Sequence, residues 1–298
     1  IAVAAGFCDA ALGTETRGSL MIPGFRNGVF SFKPSRGLVS RTGIIPLSSS
    51  FDAPGVLARN PEILREVFLF MVGVDPEDDQ PFELTKTESS FSRKRIVFCV
   101  NRKLGEMEML QTKLHPFLSR LKLKGFEIAF IDLPEVVFDY KTISSADIRS
   151  DMTCFLQRFG SDNEPQSFEE LVERYRERPH AHLYGMERLE DALAMPQITK
   201  PDLKKLVQEN VAKARNLIDD ILAHYDADFV GFLNFVDWFS IGGGPSCTLP
   251  VSFETKPPIS IMLGARVGND LAILHLVKEL SEIAKAVQHV EKLGNKAE

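Results

Sequence analysis

The chain has 298 residues, 44% of them hydrophobic and 26% charged, with a net charge of −6. That composition belongs to a folded globular protein long enough for one large domain or two small ones. The acidic balance argues against nucleic-acid binding through a broad basic surface, and no apolar run is long enough to span a bilayer as a helix, so neither partner is indicated.

Residues 1–12 are mostly small and lead into GTETRGSLMIP at 13–23. Such a loop can gather several backbone N–H groups around one hydroxyl, as acyl transfer at a serine requires. On spacing alone, a helix start with Ser19 as N-cap and Pro23 in the first turn accounts for the same residues. The stretch lacks the Gly-Lys-Ser/Thr of a phosphate loop. Met21 stands where a Gly-x-Ser-x-Gly elbow has its last glycine. Residues 25–32 and 43–47 read as short strands or turns. Asp52 reads as a site neighbour or a turn cap.

Residues 61–73 predict a helix, with Pro61 in its first turn and Ile63, Leu64, Val67, Phe68 and Met71 on one stripe. Residues 75–88, with Pro76 and Pro81, read as a surface loop that closes a first region, 1–80. RIVFCV at 95–100 predicts a buried strand. An amphipathic helix over 106–124, ended by Gly125, and a strand over 126–133 complete the proportions of a parallel βαβ unit. Residues 140–224 are mainly helical, most clearly at 143–159, 167–176 and 201–224. Ser167 with Glu170 makes a capping box, and Thr199 is an N-cap. Residues 227–233 and 259–264 predict strands, 269–293 a closing amphipathic helix, and 294–298 a frayed tail.

Cys8, Cys99, Cys154 and Cys247 are far apart and sit among apolar residues, which reads as buried free thiols in a reducing, cytoplasmic setting. His180 and His182 lack the further ligands a metal would need. His115, His224, His275 and His289 are isolated helix-surface or helix-end positions, and nothing ties any of them to Ser19.

The loop and its surroundings resemble the amidase signature family of serine hydrolases. The family pattern is roughly Gly-Thr/Ser-Asp-Thr-Gly-Gly-Ser-Ile-Arg-x-Pro, which GTETRGSLMIP follows. The match continues in order through Gly28 and Val29, FKPSRG at 32–37, VSR at 39–41, GIIPLSSSFD at 43–52, PGVLAR at 54–59 and VGVDPED at 72–78. IGGGPSCTLP at 241–250 and ISIMLG at 259–264 resemble later family elements.

The resemblance implies an α/β fold with a mixed β-sheet core flanked by helices. It implies one amidase-type domain over 1–298, read as the C-terminal part of a longer protein, with signature region 1–80 and remainder 81–298. Helices within 140–224 would shape the substrate pocket. The implied activity is hydrolysis of a carboxamide C–N bond, other than a peptide bond, through an acyl-serine. Ser19 would be the nucleophile of a Ser-cis-Ser-Lys triad whose other two members are expected upstream of Ile1. Backbone N–H groups around Thr16, Arg17, Gly18 and Ser19 would form the oxyanion hole. No metal or organic cofactor is called for, substrate-binding residues are not identified, the partner is a small amide, and a homodimer is compatible. Lys33, in the family's Lys-Pro-Ser/Thr-x-Gly element, reads as structural or loop-orienting.

Three residues depart from the pattern: Glu15 for Asp, Arg17 for Gly and Met21 for Arg. A later Gln and a Pro-Thr pair are also absent. These departures keep two alternatives open, a catalytically silent amidase-fold protein that binds a ligand or partner, and an amidotransferase A-type subunit.

Overall fold

The computed structural model describes residues 1–78, 80–84, 94–178, 180, 183, 185–253, 255 and 257–294. Its strands are β1 (Ala10–Glu15), β2 (Phe30–Lys33), β3 (Ala53–Ala58), β4 (Arg95–Val100), β5 (Glu127–Asp132), β6 (Phe229–Phe232), β7 (Ser246–Ser252) and β8 (Ile259–Gly264). They form one sheet in the order β1-β3-β2-β7-β8-β6-β4-β5. β4 is parallel to β5 and β6, and the other pairs are antiparallel, so the α/β class with a mixed sheet is observed.

The helices are α1 (Met21–Asn27), α2 (Pro61–Met71), α3 (Glu106–Gln111), α4 (His115–Leu123), α5 (Tyr140–Phe159), α6 (Phe168–Arg176), α7 (Glu187–Ala194), α8 (Lys200–His224), α9 (Trp238–Gly242) and α10 (Asp270–Gly294). Side chains alternate across β4 as a pleated strand requires. Ile96, Phe98 and Val100 join the core beneath α2, α4 and α10, while Val97 and Cys99 join the core beneath α1, α8 and α9. The second face carries the site.

The predicted helix at 61–73 forms with Asn60 as its N-cap and with Leu64 and Phe68 fully buried. The expected parallel crossover also forms, but 106–124 is not one helix. Pro116 has no N–H to give Thr112 and its ring crowds that carbonyl, so the chain breaks after Gln111 and restarts at His115. The α6 and α8 caps stand where expected: Ser167 accepts from Glu170 N–H at 3.1 Å, and Thr199 from Asp202 N–H at 3.3 Å.

Several other expectations are corrected. Phe25 lies in α1, and the strand begins only at Phe30, after Gly28 ends the helix in the left-handed region at φ 61°. β1 and β3 arise in segments whose Gly and Pro content reads as turns. Gly55 is needed in β3, because a Cβ there would lie 2.2 Å from Phe32 O. Asp78, in the expected surface loop, is buried against Arg41 at 2.5 Å. Cys99 and Cys247 are buried, but Cys154 is exposed on α5 and Cys8 is half-buried. The loop positions 85–88, His182, the tail 295–298 and the side chain of His289 lie outside the described residues.

Candidate active site

The stretch 13–23 joins the end of β1 to α1, and its shape is set by two buried carboxylates. Glu15, fully buried, accepts hydrogen bonds from Leu20 N–H at 3.0 Å and Met21 N–H at 2.9 Å. These are donors at the start of α1 that the helix cannot satisfy itself. The other Glu15 oxygen accepts from the Ser240 hydroxyl on α9 at 2.8 Å. Asp52 accepts from Thr16 Oγ1, from Leu47 N–H at 2.8 Å and from Ser48 N–H at 2.9 Å. Asp52 therefore caps its own turn and also tethers the loop.

Ser19 itself is exposed, and its hydroxyl has no hydrogen-bond partner among the described residues. The N-cap of α1 is Leu20, with no side-chain capping bond. The capping role is thus taken by Glu15, and Ser19 is left free. Thr16, Arg17, Gly18 and Ser19 are one continuous turn. Gly18 sits at φ 101°, where a side chain is strained, and a Cβ there would meet Ile22 Cδ1 at 2.7 Å and Phe235 Cζ at 3.0 Å.

Arg17 stands where the family pattern has Gly, yet it is not in the left-handed region; among the described non-glycine residues only Asp226 is. Its side chain is held from two sides. Nε donates to Asp237 Oδ2 at 2.7 Å, and the guanidinium lies 4.8 Å from the centre of the Tyr140 ring. Tyr140 stacks on Phe51, and Arg36 also lies over the Phe51 ring. Met21, where the pattern has Arg, is buried with its sulfur 3.8 Å from Ser31 Oγ.

α1 lies directly on the sheet. A Cβ at Gly24 would come within 2.5 Å of both Ser31 Oγ and Thr248 Oγ1, hydroxyls that are themselves 2.8 Å apart. Gly24 thus sets how closely the helix behind Ser19 approaches β2 and β7.

The glycine-rich segment after α9 is gripped by its carbonyls. Ile241 O accepts from Arg36 Nη2 at 3.0 Å, Gly242 O from Arg215 Nε at 2.8 Å, Gly243 O from Arg36 N–H at 3.0 Å and Gly244 O from Lys33 Nζ at 2.6 Å. Cations at a helix C-terminus answer its unpaired carbonyls and its dipole. Lys33 Nζ also donates to Pro34 O at 3.0 Å. Burial lowers the Lys33 ammonium to about 8, against the opposing pull of Glu15. Burial likewise lowers Arg36 to about 9, with Arg215 and Arg41 adding repulsion.

α5 reaches the loop from the outside. Asp147 accepts from the Ser48 hydroxyl, and Asp151 from Ser49 N–H at 2.7 Å. Burial raises both carboxyls, Asp151 to about 6. Among the described residues no group of three or more His, Cys, Asp or Glu is arranged to hold a metal ion. Asp237, Tyr140 and Ser240 went unread in the sequence because each meets the loop only through the fold. The sequence did mark Glu15 and Arg17, the two loop residues that hold Ser240 and Asp237.

The same fold recurs in known proteins. The sequence model of the amidase family matches residues 1–230. The chain is 24% identical to translocon at the outer membrane of chloroplasts 64 of Pisum sativum, over 94% of this chain and 50% of that protein. It is 30% identical to the A-type subunit of the mitochondrial glutamyl-tRNA(Gln) amidotransferase of Anopheles gambiae, over 59% of this chain and 38% of that one. The chain thus spans half or less of the length of these curated relatives. Among solved structures, the peptide amidase of Stenotrophomonas maltophilia superimposes with a TM-score of 0.83 at 21% identity, over 96% of this chain and 64% of its own. An amidase family protein of Bacillus anthracis gives 0.84 at 22%, over 95% and 58%.

Proposed function

The chain belongs to the amidase family, and from that premise we propose that the complete protein hydrolyses the C–N bond of a small non-peptide carboxamide through an acyl-Ser19 intermediate. The observation that carries this reading is the freed hydroxyl of Ser19, exposed at the head of α1 while Glu15 does the capping.

In this mechanism Ser19 Oγ attacks the amide carbonyl. Backbone N–H groups of the turn formed by Thr16, Arg17, Gly18 and Ser19 receive the developing oxyanion, and because Glu15 and Asp52 fix both ends of the turn, little reorganisation is required at the moment of attack. The bridging serine and the lysine expected upstream of Ile1 carry the serine proton to the leaving nitrogen. Water then cleaves the ester and regenerates Ser19. No step calls for a metal or organic cofactor. Arg36, Arg215 and Lys33 position the glycine-rich segment rather than react.

The test is release of ammonia or amine from a panel of aliphatic, aryl and amino-acid amides by the full-length protein. Ser19→Ala is expected to lower turnover of any substrate found by at least about 10³-fold. Equal turnover by wild type and variant would contradict the reading.

Two other readings have specific support. Similarity to the A-type subunit of glutamyl-tRNA(Gln) amidotransferase favours a component that hands ammonia to a partner, which would purify as a stable complex and prefer glutamine. The likeness to a chloroplast translocon component favours an amidase-fold protein that binds a partner, and if such a fold is silent it would turn over nothing in the panel. No helix among the described residues is long and apolar enough to cross a membrane. A cytoplasmic location and a homodimer remain parts of the proposal, checked by fractionation and by sedimentation of the native protein.

A further inference from the structure

Two cavities lie near the turn that carries Ser19: Arg17 lines one, and two side chains packed against Gly18 line the other. The larger, about 790 Å³, includes Arg17 in its lining, and its cations are paired: Arg17 with Asp237, Arg102 with Asp132 and Lys103 with Glu135. The smaller, about 620 Å³, is different in kind. Ile22, Phe25, Leu233 and Phe235 give it apolar walls, and Arg26 and Lys113 stand in the same lining. Both cations are exposed, and neither has an ion pair or hydrogen bond among the described residues.

The wall of this cavity packs against Gly18, the residue before Ser19. The two side chains that a Cβ at Gly18 would strike, Ile22 and Phe235, are both part of its wall. Ile22, Phe25 and Arg26 share one face of α1 by their three- and four-residue spacing. Arg26 lies seven residues beyond Ser19, about 10 Å along the helix. An extended acyl group bound at Ser19 can therefore run along the apolar wall and end at the unpaired cations.

We propose that the smaller cavity is an acyl subsite for amides that carry a carboxylate at the far end of an apolar chain. The apolar body covers Ile22, Phe25, Leu233 and Phe235, and the carboxylate sits between Arg26 and Lys113. Charge-assisted hydrogen bonds to an anion are the strong ones, and no protein carboxylate among the described residues has claimed these donors. The assignment of the amide end, but not of the carboxylate end, rests on the reading of Ser19 as nucleophile. There Ser19 Oγ would form an ester to the acyl carbon as the C–N bond breaks and the nitrogen leaves with a proton. Water would then release the dicarboxylate.

The test is calorimetric titration of the full-length Ser19→Ala protein, which prevents turnover, with suberamic acid and with its neutral counterpart octanamide. Suberamic acid is expected to bind about tenfold more tightly. Changing Arg26→Gln and Lys113→Gln together should erase that preference, and as both side chains are exposed the fold should be kept, as a circular dichroism melt will verify. Equal binding of the two compounds, no binding of either, or a preference that survives in the double variant would overturn the subsite. Ammonia release from suberamic acid by the wild type is read separately. Preferential binding without release would contradict the hydrolytic reading and leave the subsite standing; release without the preference would do the reverse.

Discussion

The Ser240 hydroxyl donates to Glu15 Oε1 at 2.8 Å across 225 residues of sequence, while the other Glu15 oxygen holds Leu20 and Met21 N–H. One buried carboxylate thereby joins α9 to the head of α1 and fixes both sides of the turn that carries Ser19. Removing it leaves three buried donors without an acceptor. Glu15→Ala should destabilise the protein by about 3 kcal/mol, and Glu15→Gln by less, because one oxygen remains to accept. Urea midpoints at constant slope will measure both.

Gly24 is expected to tolerate nothing larger. Its missing Cβ faces Ser31 and Thr248 hydroxyls at 2.5 Å, so Gly24→Ala must lift α1 from the sheet. Overpacking of this kind costs about 1–3 kcal/mol, more than the better helix propensity of alanine returns. A stabilised Gly24→Ala variant would show that α1 does not lie as closely as described.

Arg17 makes an exposed ion pair and a cation–π contact, so it should matter modestly to stability. Its side chain is 47% exposed, which screens the Asp237 pair. Arg17→Ala is expected to cost up to about 1 kcal/mol, with a smaller difference in about 1 M salt. Arg17→Gly should be worse than alanine, since a residue outside the left-handed region gains nothing from glycine and loses more unfolded-state entropy on folding. The reverse order in thermal melts would contradict the backbone geometry of the turn.

Lys33 gives stability a pH dependence at alkaline pH. Its folded-state value, about 8, is below that of an unfolded lysine, chiefly because of burial. Between about pH 8 and the unfolded value near 10.4, the unfolded chain binds more protons than the native one, so stability rises with pH. The cost is fully present below pH 8, and the total rise is roughly 3 kcal/mol. The buried thiols of Cys99 and Cys247, both pushed up by burial, oppose this rise above about pH 8.5, and Arg36 adds to it. The Lys33 contribution is therefore read as the stability of wild type minus that of Lys33→Met, a difference that should rise from about pH 8 to 10 on top of a constant loss of the hydrogen bonds to Pro34 O and Gly244 O.

The elements legible in the sequence were those with a strong local pattern: RIVFCV as β4, ISIMLG as β8, and the apolar stripes of α2 and α10. β1 was hidden by the small residues of AALGTE. β3 was hidden by Pro54 and Gly55, which a strand accepts only where a neighbour's backbone comes close, as Phe32 O does here. The start of α1 was legible from Pro23 in its first turn, but its N-cap is Leu20 rather than Ser19, and its run through Asn27 was hidden because 25–32 reads as a strand or turn. The motif located the turn around Ser19, but its partners lie elsewhere in the chain. Asp237 and Ser240 reach it from beyond residue 230, and Tyr140 from the head of α5. Such contacts are products of strand order, and no local spacing encodes them.

The most direct test of the central claim is the intact mass of the full-length native protein after exposure to a fluorophosphonate, with Ser19→Ala alongside. An activated serine in a working oxyanion site forms one covalent adduct at Ser19. We expect a single adduct on the wild type and none on Ser19→Ala. A folded full-length protein that takes up no adduct, or an adduct that persists in Ser19→Ala, would contradict the claim.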